Sequence, residues 1–219
     1  MSKNIFTCLI ALSLLASCRN NEQDSSVSAS ENLFKSKVAI APVIDNTKHT
    51  TSWDLSDEIT YSLFYKLGQK ENLQVEDPHK TKSVTRKLKS TNDPFGEDIK
   101  WVKKSFAEEE FVVFLEMLEH EEIPNTSDRS QTPQECSANL NLTARVVVVD
   151  NRTDTPQVIL QEVINDKHFI PKQFNQYNFR QVAWGSDDFF ISPTGMAHSQ
   201  FLKELSNRID DYIKIAKSS

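Results

Sequence analysis

Catalysis needs a nucleophile beside its base, or ligands that converge on a metal, and few residues here are spaced for either. Gly-x-Ser-x-Gly, His-Glu-x-x-His and paired Cys-x-x-Cys motifs are absent. The run Glu119-His120-Glu121-Glu122 could hold a divalent cation through imidazole and carboxylate. Only His120 and Glu122 would share a side of an extended strand, so a solvated strand end is the better reading. His49, His79, His168 and His198 follow no ligand spacing, and no role is assigned to them. One basic stretch stands out: His79, Lys80, Lys82, Arg86, Lys87 and Lys89, with Lys100, Lys103 and Lys104 able to extend it. Such a patch could meet the phosphates of a glycolipid or an anionic membrane face, whereas the ordinary alternative is a solvated lysine-rich surface. Only four glycines argue against Gly-rich phosphate loops, and no cofactor, metal or catalytic residue is expected.

The three cysteines sort by position. Lys3 supplies a positive amino-terminal region, and Ile5 to Ala16 form an apolar core of twelve residues, too short for the roughly 20 that span a bilayer. Residues 1–17 therefore read as a cleaved signal peptide. Leu15-Ala16-Ser17-Cys18 resembles the lipobox of bacterial lipoproteins, which implies a diacylglyceryl thioether on Cys18 and a mature chain beginning there. Acyl chains contribute about 0.8 kcal/mol per buried methylene, so two or three of them, palmitate included, hold a protein on a bilayer. Arg19 in place of an acidic residue resembles the sorting signal for the outer membrane, periplasmic face. Cys8 leaves with the signal and Cys136 stands alone in an oxidising compartment, as a buried small hydrophobe or as a thiol that pairs between chains.

Removal of residues 1–17 takes away only Lys3, leaving 24 basic and 31 acidic residues, a net charge of −7. Nucleic acid is thereby disfavoured as a partner. Residues 18–35, with the lipidated cysteine, form a polar tether whose reach is on the order of 20 Å. Residues 36–217 suit a single domain.

Positioning elements follow from periodicity. Val38 to Ile44 is apolar on both faces, as a mid-sheet strand is. Thr51 or Ser52 can cap a helix with Asp54, Asp57 and Glu58 in its first turn, the stripe Leu55, Ile59, Leu63, Leu67, and Gly68 as its stop. Leu73 to Val75 is a short strand. Ile99, Val102 and Phe106 fall at helical spacing, and Phe111 to Leu118 is a strongly apolar strand. Leu140, Leu142, Ala144, Val146 and Val148 alternate along one face of a long strand, which a turn at 150–156 returns as a hairpin. Residues 172–191 carry six scattered aromatics and read as an irregular cover over the core, or as an apolar patch for a partner. Ser192-Pro193 then opens a helix with a buried stripe of Leu202, Leu205, Ile209, Tyr212 and Ala216, and a wet side of Lys203, Glu204, Arg208, Asp210 and Lys214. The expected fold is α/β, with two main helices packed on a roughly four-stranded mixed sheet in a single domain.

The order of Val38 to Thr47, Leu55 to Thr60 and Leu73 to Asp77, followed by the strand ending at Asp150, the Asn151-Arg152-Thr153 turn and the terminal helix, resembles the lipopolysaccharide-assembly lipoprotein family, LptE. The opening is also similar to the TolB amino-terminal domain, the curli-secretion lipoprotein and the penicillin-binding-protein activator lipoproteins. The whole chain is similar to a conserved outer-membrane lipoprotein of chlamydiae. The resemblance implies a non-enzymatic accessory in envelope assembly with an outer-membrane barrel or glycolipid as partner. The alternative is a regulator or component of a periplasmic synthase or secretion complex. Residues 78–110, 124–136 and 172–191 depart from the LptE pattern, and no family site residue carries over.

Overall fold

Strand β1 (Ser36–Ile40) is buried on both faces, and its position explains why: it lies between β3 (Leu73–Val75) and β4 (Phe111–Pro124), parallel to each. The computed structural model describes residues 35–48, 51–87, 92–125, 136–172 and 184–219. Residues 1–34, which hold the expected signal peptide, Cys18 and all of the expected tether except Lys35, lie outside the described residues. Instead of running on to Ile44, β1 stops before Pro42, which has no N–H to give a sheet. The chain pairs with β4 again as β2 (Ile44–Asp45). Helix α1 (Leu55–Gly68) fills the gap: the Val43 N–H donates to Thr60 Oγ1 at 2.9 Å, and the Ser56 hydroxyl donates to the Val43 carbonyl. The backbone groups released by the proline thus dock the helix.

The cap of α1 is Asp54, a few residues later than Thr51 or Ser52, because its carboxylate accepts the Asp57 N–H at 2.9 Å. The stripe Leu55, Ile59, Leu63 and Leu67 is buried as its spacing predicts. After β3 come two short helices, α2 (Pro78–Thr85) and α3 (Lys100–Ser105). Val102 and Phe106 pack with Val84 and Phe95 against Ala39, Val112, Phe114 and Val147, covering the sheet face opposite α1.

Strands β4, β5 (Ala138–Asp150) and β6 (Gln157–Ile170) form an antiparallel meander. Expected to end at Leu118, β4 continues to Pro124. Its register passes from Met117 opposite Ala144 to Glu119 opposite Thr143, leaving Leu118 as the extra residue of a bulge. The bulge reverses the phase of alternation, so Met117 and His120 both point to the helix-covered face. The sheet has six strands in the order β3-β1-β4-β5-β6 with β2 beside β4, and the mixed α/β fold is as expected, the additional strands being short.

A short helix α4 (Asp187–Ile191) replaces part of the irregular stretch expected at 172–191; residues 173–183 lie outside the described ones. Helix α5 (Pro193–Ser218) starts at the Ser192 cap, whose hydroxyl accepts the Gly195 N–H at 3.0 Å. It buries Phe201, Leu202, Leu205, Ile209 and Ile213 on the same sheet face as α1. Tyr212, expected in that stripe, is 38% exposed, and Ile213 occupies the inward position. Asp210, expected on the wet side, is buried, and takes hydrogen bonds from Asn72 Nδ2 at 2.9 Å and Lys214 Nζ at 2.7 Å. At the far end, Arg152 donates to the Ala216 carbonyl at 2.7 Å and pairs with Asp150. Burial alone would raise the Asp150 carboxyl, but hydrogen bonds from Arg152 outweigh it and hold the group below its ordinary value.

Two predictions follow from these junctions. A Cβ at Gly195 would stand 1.9 Å from the Phe189 carbonyl oxygen, whereas one at Gly68 meets nothing within 4 Å. Gly195→Ala should cost about 1–3 kcal/mol or more in urea denaturation, and Gly68→Ala should add about 0.5–1 kcal/mol. Because the Asp150 carboxyl is depressed in the folded state, its contribution is complete above the unfolded-state value near 3.9 and is lost as pH falls through the folded value. Denaturation of Asp150→Asn should therefore show lower stability at neutral pH and a shallower decline below about pH 4 than the parent chain.

Candidate functional site

Three polar side chains from three elements meet inside the protein beneath the start of α5. Glu58, in the first turn of α1, is 1% exposed; His198, in the second turn of α5, is 2% exposed; His120, beyond the bulge in β4, is 6% exposed. Glu58 Oε1 is 2.6 Å from His198 Nδ1, and His198 Nε2 is 2.9 Å from His120 Nε2. The other Glu58 oxygen accepts the Trp53 indole N–H at 2.6 Å. The ring of Phe189, from α4, lies edge-on to both Trp53 and His198, with centroids 5.3 Å and 5.8 Å away. These contacts join α1, α4, α5 and the far end of β4.

The chemistry follows from donor and acceptor counting. A carboxylate only accepts, so His198 gives its Nδ1 proton to Glu58. The two Nε2 atoms face each other, and one of them must donate while the other accepts. Two nitrogens bound to one tetrahedral zinc at about 2.0–2.1 Å would stand roughly 3.3–3.4 Å apart, so 2.9 Å is a hydrogen bond between imidazoles. Among the described residues no group of three His, Cys, Asp or Glu side chains is placed to hold a metal. The arrangement is a buried carboxylate–imidazole–imidazole relay.

Sequence spacing missed this site because its members are 62 and 78 residues apart along the chain and the Leu118 bulge hides the inward phase of His120. The run from Glu119 to Glu122 is not a solvated strand end: His120 is buried, and Glu119 accepts from Asn141 and Thr143 on the opposite sheet face. A signal for the other two was present. Glu58 stands three residues after Leu55 and one before Ile59, and His198 stands three before Phe201, so both lie in apolar helical stripes. His79 instead contacts Tyr61 at the surface, and His168 pairs with Asp166 at 2.9 Å. His49 lies outside the described residues.

The basic stretch maps to α2 and the turn after it. Lys80 pairs with Glu76 at 2.8 Å and Lys82 with Asp57 at 2.9 Å, and the hydrogen bonds they donate to these carboxylates raise both ammonium groups above their usual value. Arg86 and Lys87 are exposed, and Lys89 lies outside the described residues. Lys103 on α3 donates to the Asn151 carbonyl at 2.7 Å. Cys136 is buried just before β5. A groove of about 650 Å³ runs along the outer side of α5, with Phe190, Met196 and Lys203 on its walls. Beside Lys203 stands Lys66, whose ammonium is lowered by burial and by the Lys203 charge. No helix among the described residues is long and apolar enough to cross a membrane.

The sequence from residue 25 to 217 matches DUF7499, a family of unknown function, and the chain belongs to it. The hypothetical protein CT253 from Chlamydia trachomatis has the same fold: 21% identity, a TM-score of 0.65, and coverage of 82% of this chain and 98% of that one. More distant likenesses include lipoprotein GNA1162 from Neisseria meningitidis, at 9% identity and a TM-score of 0.37 over 60% of this chain and 80% of that one. The PelC dodecamer from Paraburkholderia phytofirmans is 10% identical, at a TM-score of 0.38 over 78% of this chain and 88% of that one. No curated protein matches the sequence.

Removing the buried carboxylate leaves two donors without an acceptor. Glu58→Ala should therefore destabilise the fold by about 3–5 kcal/mol in chemical denaturation. A loss below about 1 kcal/mol would show that the relay contributes no more than a surface pair.

Proposed function

We propose that this member of a family of unknown function is a lipid-anchored, non-enzymatic accessory protein of the bacterial envelope that docks on a partner through the outer surface of α4 and α5. One observation carries the reading. Phe190, Ile191 and Met196 are 55%, 73% and 54% exposed close together in the chain, and Phe190 and Met196 line the α5 groove. Single exposed apolar residues are ordinary on a protein surface, but several together beside a groove mark an interaction site. Lys66 and Lys203, on the same side, add two neighbouring positive charges, with Glu204 on the same groove wall. The lipobox at Leu15 to Cys18 supports placement on a membrane outside the cytoplasm, and Arg19 supports the outer one. Within this reading, the order of strand, helix and hairpin shared with LptE favours a partner that is an outer-membrane barrel or the glycolipid it handles.

Crosslinking in intact envelopes, followed by affinity purification in mild detergent, tests both halves of the proposal. A single barrel protein should co-purify in stoichiometric amount, and Phe190→Asp with Met196→Asp should reduce its recovery at least tenfold without changing the abundance of the bait. Cys18→Ala should move the chain from the membrane to the soluble fraction. Full recovery of the partner with the double variant excludes this docking surface, and membrane retention of Cys18→Ala excludes the anchor.

A further inference from the structure

Glu58 is almost wholly buried, and an unpaired buried carboxylate is costly. Among its contacts in the described residues, Trp53 is a neutral donor, and the His198–His120 pair can supply a balancing charge. One added proton fits the pair at either ring. If His198 carries it, its Nε2–H donates to His120; if His120 carries it, the donation runs the other way. A second added proton does not fit. Both Nε2 atoms would then bear hydrogens, pointing at each other across 2.9 Å, on two like-charged rings.

We propose that the Glu58–His198–His120 relay is a proton-operated latch, closed with at most one added proton on the imidazole pair and opened by the second. The elements it joins define what opens. His198 fixes the first turns of α5 against β4, and Phe189 is wedged between His198 and Trp53. Gly195 packs so closely on the Phe189 carbonyl that α4 and the start of α5 form one corner. Parting the two histidines releases that corner, and with it the buried ring of Phe189 and the carriers of Phe190, Ile191 and Met196. Other ionisable groups among the described residues surround the relay. On its face of β4 the next is Glu122; on β6, Asp166 and His168 stand paired at 2.9 Å. Helix α1 contributes Glu58, with Asp57 engaged by Lys82, and α5 contributes His198. Helix α4 carries Asp187 and Asp188, ahead of Phe189.

The direction of the effect follows from proton counting. The open state binds the second proton and the latched state does not, so opening becomes more favourable as pH falls, by up to tenfold per pH unit for one proton. This device is independent of what docks on the protein.

Amide hydrogen exchange of the full-length chain in mild detergent tests it, with rates corrected for the intrinsic effect of pH. Between pH 7.5 and 5.0, the opening constant of residues 186–202 should rise at least tenfold, while amides of β4 and β5 at 111–117 and 144–149 change less than twofold. In His120→Gln, whose amide cannot take the second proton, the rise across 186–202 should fall below threefold. Equal pH dependence in the parent and the variant, or no rise in the parent, overturns the latch. Should the variant fail to fold, ring-nitrogen NMR of the parent decides the matter. His120 and His198 should together take up a single proton while 186–202 stays protected, and two full imidazolium rings in a protected corner would overturn it.

Discussion

A carboxylate shut away from water must be met by donors, and in this protein that requirement falls on side chains brought from a helix, a strand and a second helix. Glu58 receives Trp53 and His198, and His198 in turn holds His120. The three anchors are far apart in the chain, so none can settle until the others are in place. The relay thus fixes how the start of α5 approaches the sheet, a placement that the apolar stripes leave free to slide, because burial of leucine and isoleucine is not directional. The corner of α4 and α5, and every exposed group it carries, inherits its position from this polar contact.

Two backbone irregularities prepare the site. Pro42 interrupts the first strand, and the freed groups of Val43 bind Thr60 and Ser56, which seats α1 with Glu58 facing inward. The bulge at Leu118 turns His120 to the same side as Met117. Without that extra residue, strict alternation would send the imidazole to the opposite face, where Glu116, Arg145, Glu119 and Thr143 form a partly exposed polar ladder. A one-residue change of phase therefore separates a core histidine from a surface one.

The outer surface divides into regions of different character. Lys80 and Lys82 of the basic stretch are engaged by carboxylates of the same chain, which leaves them less to offer an anion. The opposite condition holds along α5, where Lys66 and Lys203 oppose each other beside Phe190 and Met196. Apolar exposure and a pair of neighbouring cations coincide there. That coincidence is the physical basis for placing a docking surface on the helical layer, and its proximity to the relay ties the shape of that surface to buried protons.

Local pattern was enough for three elements: the α1 stripe from Leu55 to Leu67, the alternation from Leu140 to Val148, and the Ser192-Pro193 start of α5 each express a signal complete within a short stretch of chain. The mixed α/β class followed from these elements. Tyr212 and Asp210 marked the limit of that method. A stripe on a long helix drifts, and which side chain turns inward at its end depends on what it meets, here Asn72 and Lys214. The meeting of Glu58, His198 and His120 was decided by tertiary structure: the apolar stripes of α1 and α5 mark Glu58 and His198 as inward-facing, but a hydrogen bond between residues 78 or 140 positions apart leaves no periodic trace of who meets whom, and the bulge in β4 hides the inward phase of His120.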